Sequence, residues 1–387
     1  MERNVERISS IVGGRVLMPQ GEPAVSEVRI EDGCIAALGS ATKGRYLDAA
    51  GLLVMPGLVD IHGDAFERQL APRPEVRFPT AMALHDTDRQ LVANGITTAF
   101  HGITCSWEGG LRGREMAREL LDHLYERNGF AADNRVHLRF ENHNLDAVEE
   151  ALCWIEEGRV DFLAFNDHLP AILDRADDPQ KMGKYAERSG VSAAEFRSIL
   201  MRASARSAEV PQAVARLAAH AVKCGVAMAS HDDMTREDRE RYQGLGCVIA
   251  EFPMRREAAS AARDFGNDVI MGAPNVVRGG SHLGGIRAAD MVAEEVCTIL
   301  ASDYYYPALL AAPFRLAADG VCTLAQAWHL VSRNPAHAAG LLDRGEMAPG
   351  QRADLILVDD AVPGRPVVVA TIVAGELRHA ARSLSIH

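Results

Sequence analysis

Two rhythms of apolar and polar residues divide the chain. Its middle holds eight short runs: LVDIH, GITTAFHG, RVHLRFE, VDFLAFND, GVAMASH, GCVIAEF, DVIMGAP and CTILASD. Each is apolar nearly throughout, the pattern of strands buried on both faces of a parallel sheet. Stretches of helical periodicity lie between them, such as REMARELLDHLYERN and VPQAVARLAAHAVKCG. Eight strands alternating with helices predict a (β/α)8 TIM-like barrel over residues 55–345. The connection between the sixth and seventh runs is short for a full helix. The ends differ. EVRIEDGCIAALG alternates around Asp32-Gly33, a hairpin signal, and ADLILVDD and PVVVATIVAGEL are strand-like runs broken by Pro and Gly. Residues 1–54 and 346–387 therefore predict one small β-sandwich domain assembled from both termini.

Composition narrows the class. A chain of 387 residues can hold a barrel and an accessory domain. With 48% hydrophobic and 24% charged residues it reads as a soluble globular protein. The net charge of -12 argues against a general nucleic-acid binder. Seven cysteines without a CxxC pair argue against a disulfide framework or a zinc knot. Reduced thiols in a cytoplasmic protein are the plainer reading. No apolar run reaches the roughly 18 residues of a membrane span, and MERNVERISS has no hydrophobic signal core. A cytoplasmic protein with neither membrane nor nucleic-acid partners is expected.

Barrels of this kind carry their chemistry where strands end. The strand ends here supply His62, Asp64, His101, Glu141, Asp167, His168, His231, Glu251 and Asp303. Imidazoles and carboxylates converging from separate strands are the ligand types that Zn²⁺, Mn²⁺ or Fe²⁺ accept. Residues i and i+2 of a strand point the same way, so His62 and Asp64 can reach one ion. Asp303 follows an apolar strand, where an unpaired buried carboxylate is costly. The expected ligand set is His62, Asp64, Glu141, His168, His231 and Asp303, holding one or two divalent ions. His101 is read as a hydrogen-bonded packing residue, and Glu251 as a loop cap outside the site.

Cations gather at the same end. Arg68, Arg73 and Arg77 follow the first strand, and Lys181 and Lys184 lie in a polar loop after the fourth. NVVRGGSHLGG, residues 275–285, follows the seventh and supplies Arg278, Ser281 and His282. Glycine runs let backbone N–H groups close on an anion, and Arg, Ser and His add directed donors. In an acidic chain, this placement predicts a phosphorylated small-molecule substrate.

PGLVDIHGD followed by PRP, SHDDMT, GAPNVVRGGSH and LASDYYYP resemble the PhnM-like proteins of phosphonate metabolism, in the amidohydrolase superfamily. PGLVDIH and ADLILVD are shared across that superfamily; GAPNVVRGGSH and SDYYYP are narrower. The resemblance implies a metal-dependent barrel that hydrolyses α-D-ribose 1-methylphosphonate 5-triphosphate to release pyrophosphate. It implies zinc first, with manganese or iron as alternatives, and Glu141 in place of the usual carboxylated lysine. Asp303 is then the group that orients the attacking water and accepts its proton. Arg278, Ser281, His282 and Arg73, with Lys181 and Lys184, are the phosphate clamp. Gly63 and Ala65 stand beside Asp64 where better-known members have larger polar residues. A homodimer is compatible with this class of barrel. The competing enzymatic reading is an amidohydrolase cleaving a C–N bond, which gives no reason for Arg73 and RGGSH at the pocket. A non-catalytic barrel scaffold would be expected to drop ligands, and here each expected position is filled.

Overall fold

The structure is a computed structural model that describes residues 7–40, 44–73, 76–126, 129–280, 285–382 and 384–387. All eight apolar runs are strands of one sheet: β1 (Leu58–Gly63), β2 (Ile96–Cys105), β3 (Asp133–Glu141), β4 (Phe162–Asn166), β5 (Ala227–His231), β6 (Ile249–Glu251), β7 (Asp268–Gly272) and β8 (Ile299–Ala301). They pair in sequence order and in parallel. Closure runs through the residues just past β8. The Asp303 N–H donates to His62 O, the Asp64 N–H donates to Asp303 O, both at 2.9 Å, and Gly63 bridges Asp303 in parallel. The interior is filled by side chains that include Val59, Ile61, Phe100, Phe162, Ile249, Ile270 and Ile299. It is a packed core rather than a pore.

The short connection between β6 and β7 does hold a helix, Arg256–Asp264. Its buried face is Ala258, Ala259, Ala261 and Ala262, all fully enclosed, and such small side chains let a brief helix sit close to the sheet. The segment after β4, expected as a polar loop, is instead three helices: Leu169–Leu173, Pro179–Ser189 and Ala193–Ala205. Asp178 and Ser192 accept N-terminal N–H groups of the second and third, the usual start signals. These helices have their own small core of Leu169, Ile172, Met182, Ala186, Phe196 and Leu200. PQKMGKYAERS reads as polar because Met182, Ala186 and Ser189 are the residues it buries.

Strands from the two ends of the chain form two further sheets. One has four strands and the other six, and Leu53–Pro56 pairs directly with Leu355–Asp359. Ile11, Val28, Ile35 and Leu47 from the first meet Val54, Leu355, Leu357 and Ile372 from the second in one core. The Asp32-Gly33 hairpin forms, with φ of 49° and 78°, the left-handed pair that its tight turn requires.

Candidate metal centre

At the C-terminal ends of the strands lies a cavity of about 530 Å³. His62, Asp64, Arg139, His168, His231 and Asp303 line it, with Arg278 and Tyr304 also on its wall. Local geometry explains how they arrive. A β-bulge between Asp60 and Gly63 breaks the pairing with β2, and bulges re-aim side chains. His62 is fully buried, its ring 4.9 Å from His137 and 5.5 Å from His231. Along β3, Val136, Leu138 and Phe140 pack outward, while His137, Arg139 and Glu141 take the alternate positions facing the site. Asp232, Phe252 and Asp303, just beyond β5, β6 and β8, have φ of 60°, 49° and 56°. Left-handed backbone costs a non-glycine residue about 1–2 kcal/mol, and here it recurs at three strand ends around one cavity.

Two buried glutamates organise the imidazoles. Glu251 is fully enclosed and accepts from His62 Nδ1 at 2.9 Å and from His231 Nδ1 at 3.2 Å. Burial would push its carboxyl up, but the His62 and His137 imidazoles and the two N–H donors hold it well below the usual carboxylate range. An ionised carboxylate can only accept, so both Nδ1 atoms carry the proton, and in the neutral ring Nε2 is the atom left with a lone pair. The Arg139 contact agrees, because its Nη2 donates to His231 Nε2 at 3.4 Å. Glu141 treats His168 in the same way, accepting from Nδ1 at 2.5 Å and from the backbone N–H at 3.3 Å. Burial opposes protonation of His168, but the Glu141 charge and the hydrogen bonds to Asp232 and Glu141 together outweigh it and raise the imidazole to about 10. Imidazoles backed through Nδ1 by a carboxylate, with Nε2 turned to a cavity, are the arrangement seen around bound metal ions.

The donor set fits a divalent ion of the zinc, manganese or iron kind. Among the described residues two groups bring ligand atoms within 4.8 Å of one another: His168, His231 and Asp232, and deeper, His62, His137 and Glu251. The Arg139 guanidinium lies between Asp64 Oδ2, at 3.3 Å, and His231 Nε2, and so already stands as a cation against two of these donors. Burial pushes the Asp303 carboxyl up, with the His62 imidazole opposing.

Of the residues expected from the sequence, His62, Asp64, His168, His231 and Asp303 line one cavity, and Glu141 lines the adjoining lobe. Glu251 is not a loop cap but the buried anchor of two histidines. The His101 Nε2–H donates to Asn134 Oδ1 at 2.6 Å, and His101 stays a packing residue. The expected clamp is brought together only in part. Arg278 reaches the cavity wall and donates to the Tyr304 hydroxyl at 3.3 Å. Arg73 is exposed and absent from the cavity lining. Lys181 pairs with Asp178 at 3.5 Å, and Lys184 is exposed; both face away because Met182 and Ala186 take the inner face of their helix. Arg77 is held by Glu119. Ser281 and His282 lie outside the described residues. Sequence reading missed Arg139, Asp232 and the buried His137. The period-two positions of HLRFE, and the first acid of SHDDMT, were the available signals.

Over 358 residues the chain is 34% identical to the α-D-ribose 1-methylphosphonate 5-triphosphate diphosphatase of Escherichia coli (strain K12), covering 90% of this chain and 94% of that protein. The chain belongs to this diphosphatase family. An adenine deaminase of Brucella suis biovar 1 is 28% identical over 365 residues, and the chain spans about half of its length, 53%. Among solved structures, N-acetylglucosamine-6-phosphate deacetylase from Pasteurella multocida superposes with a TM-score of 0.64 at 11% identity, covering 96% of this chain and 99% of that one. An amidohydrolase superposes with a TM-score of 0.64 at 14% identity, covering 95% and 98%. These two likenesses show the fold alone. No family model matches the chain.

Proposed function

We propose that this chain is a metal-dependent phosphoanhydride hydrolase. It releases pyrophosphate from the 5-triphosphate of α-D-ribose 1-methylphosphonate 5-triphosphate and leaves the 5-phosphate sugar for phosphonate breakdown. The observation that carries the reading is the 34% identity to the Escherichia coli diphosphatase along 94% of its length. His62, His168 and His231, through Nε2, and Asp64, Asp232 and Asp303, through carboxylate oxygens, are the proposed ligands, with Glu141 and Glu251 orienting the imidazoles. Zinc is the proposed ion, with manganese and iron as alternatives, since imidazole and carboxylate donors suit all three. A bound divalent ion supplies a water acidified towards a pKa of about 7 and a positive charge for phosphoryl oxygens. The chain's own residues do the rest. Asp303 Oδ, half-buried near His62, accepts the proton of the attacking water. Arg139 and Arg278 neutralise charge spreading over the phosphoryl oxygens, which is most of what phosphoanhydride cleavage asks of a protein.

Pyrophosphate release from the triphosphate, followed with purified protein, tests the reading. His231→Ala is expected to lose metal, and Arg278→Ala to slow turnover with metal content intact. A wild-type protein, metal-loaded, that yields no pyrophosphate would overturn it. Hydrolysis of a C–N bond is a second reading, favoured by the likeness to an adenine deaminase, and release of ammonia or an amine is its signature. A cytoplasmic location is part of the proposal; it is supported by seven free cysteines. No helix among the described residues is long and apolar enough to cross a membrane.

A further inference from the structure

A second lobe of about 160 Å³ opens off the main cavity, and Arg112, Arg139, His168 and Arg188 line both spaces. Four guanidinium groups face into it from four separate segments: Arg112 after β2, Arg139 from β3, Arg175 after Leu169–Leu173, and Arg188 near the end of Pro179–Ser189. Two carboxylates line it as well. Glu141 is engaged by His168 and Glu108 by Arg188, while Arg112 is held by Glu67 at 3.0 Å on two nitrogens. Arg175 donates to the Tyr185 hydroxyl at 3.2 Å. Arg139 also pairs with Asp64 at 3.3 Å, outside the lobe; on the lobe's own lining four guanidinium groups stand against two carboxylates, and positive charge is in excess there. The lobe also holds unanswered donors. The Thr104 hydroxyl and Arg139 Nε belong to residues 8% and 7% exposed and have no hydrogen-bond partner among the described residues, as is true of Arg188 Nε. A buried polar group without a partner costs free energy unless a ligand satisfies it. One wall is apolar, formed by Ala171 and the buried Ile172.

The segments are locked together at Gly110. Its φ is +61°, and a Cβ there would lie 2.7 Å from the Arg188 carbonyl oxygen, so the helix bearing Arg188 rests directly on the loop bearing Arg112. The helical segment after β4, with its own core, thus roofs this lobe.

We propose that the lobe is the subsite for the 1-methylphosphonate group of the substrate. This rests on the diphosphatase reading and assigns the two anionic ends of one molecule to two cationic spaces. The triphosphate lies in the main cavity by Arg278. Across the ribose, the phosphonate oxygens meet Thr104, Arg175 and Arg188, and its methyl group lies against Ile172.

Thr104→Val and Arg175→Gln test this without stranding a buried charge, and Thr104→Val removes a hydroxyl that has no partner among the described residues. Each is expected to raise KM for the full substrate about tenfold, the weight of one hydrogen bond to an ionised group. The change is expected to be far smaller for methyl riboside 5-triphosphate, which lacks the phosphonate. Equal loss on both triphosphates, or no loss on either, overturns the assignment. If the wild type releases no pyrophosphate at all, the diphosphatase reading has failed, and calorimetric binding of α-D-ribose 1-methylphosphonate decides the lobe by itself. Binding weakened in both variants supports it; no binding to wild type, or equal binding by all three proteins, overturns it.

Discussion

Glu251→Gln probes the organisation of the centre at one atom. Glutamine keeps the volume of Glu251 but replaces one carboxylate oxygen by an NH₂ group, which only donates. Glu251 accepts from Nδ1 of His62 at 2.9 Å and of His231 at 3.2 Å. In the variant one imidazole must meet the NH₂ with a bare Nδ1, which moves its proton to Nε2 and removes that lone pair from the cavity. A hydrogen bond to a charged group contributes about 1.5–3 kcal/mol, roughly tenfold to a hundredfold in an equilibrium constant. Removing a carboxylate that backs a metal-bound histidine typically costs 10–100-fold in metal affinity, so the two routes to the magnitude agree. Competition against a chelator of known affinity, read by elemental analysis, measures the loss, and pyrophosphate release should fall at limiting metal and recover in part at saturation. Wild-type affinity in a folded Glu251→Gln protein would refute the tautomer argument and the orienting role of Glu251.

At saturating metal, turnover of Asp303→Asn should fall by about 10²–10⁴, the usual weight of a proton acceptor; wild-type turnover would remove Asp303 from the proton path. Arg239 is fully buried and donates to Ser230, to Asp233 at 3.2 Å, to Cys247 O at 3.1 Å and to Asn267 Oδ1 at 2.6 Å. Arg239→Met strands the Asp233 carboxylate and should cost about 3–5 kcal/mol in urea unfolding, provided Asp233 stays ionised. The Glu141–His168 pair gives metal-stripped protein a pH signature. Its imidazole is raised to about 10, so that contribution is complete below the ordinary 6.5 and is lost as pH climbs towards 10. Glu141 is lowered despite burial, owing to His168, so its contribution is present above the ordinary 4.5 and fades as pH falls through the lowered value. Unfolding midpoints of chelator-treated wild type, against Glu141→Gln, should differ most between these limits; a constant difference from pH 4 to 10 would sink the pairing.

The chain's own pattern of residues determined the eight strands, their order and the β strands at both ends. Burial on two faces of a parallel sheet leaves a local apolar signature, and each run, from LVDIH to CTILASD, is a strand. Five of the six expected ligands reach one cavity for a similar reason, since position at a strand end is a one-dimensional property. What the tertiary structure alone decided is which groups touch. Glu251 lies 189 residues from His62, and nothing near either predicts that one carboxylate fixes two imidazoles across the barrel. The cations show the same limit. Lys181 and Lys184 are near the site along the chain but turned away in space, because the inner helical face goes to Met182 and Ala186, and Arg73 is exposed off the cavity lining. Arg139 and Arg188 were hidden in an apolar strand and a polar helix, and closure of the barrel under its helical roof brings them together. Burial periodicity is set by neighbours a few residues apart, whereas hydrogen bonding and charge pairing are set by whatever the fold delivers within about 3 Å.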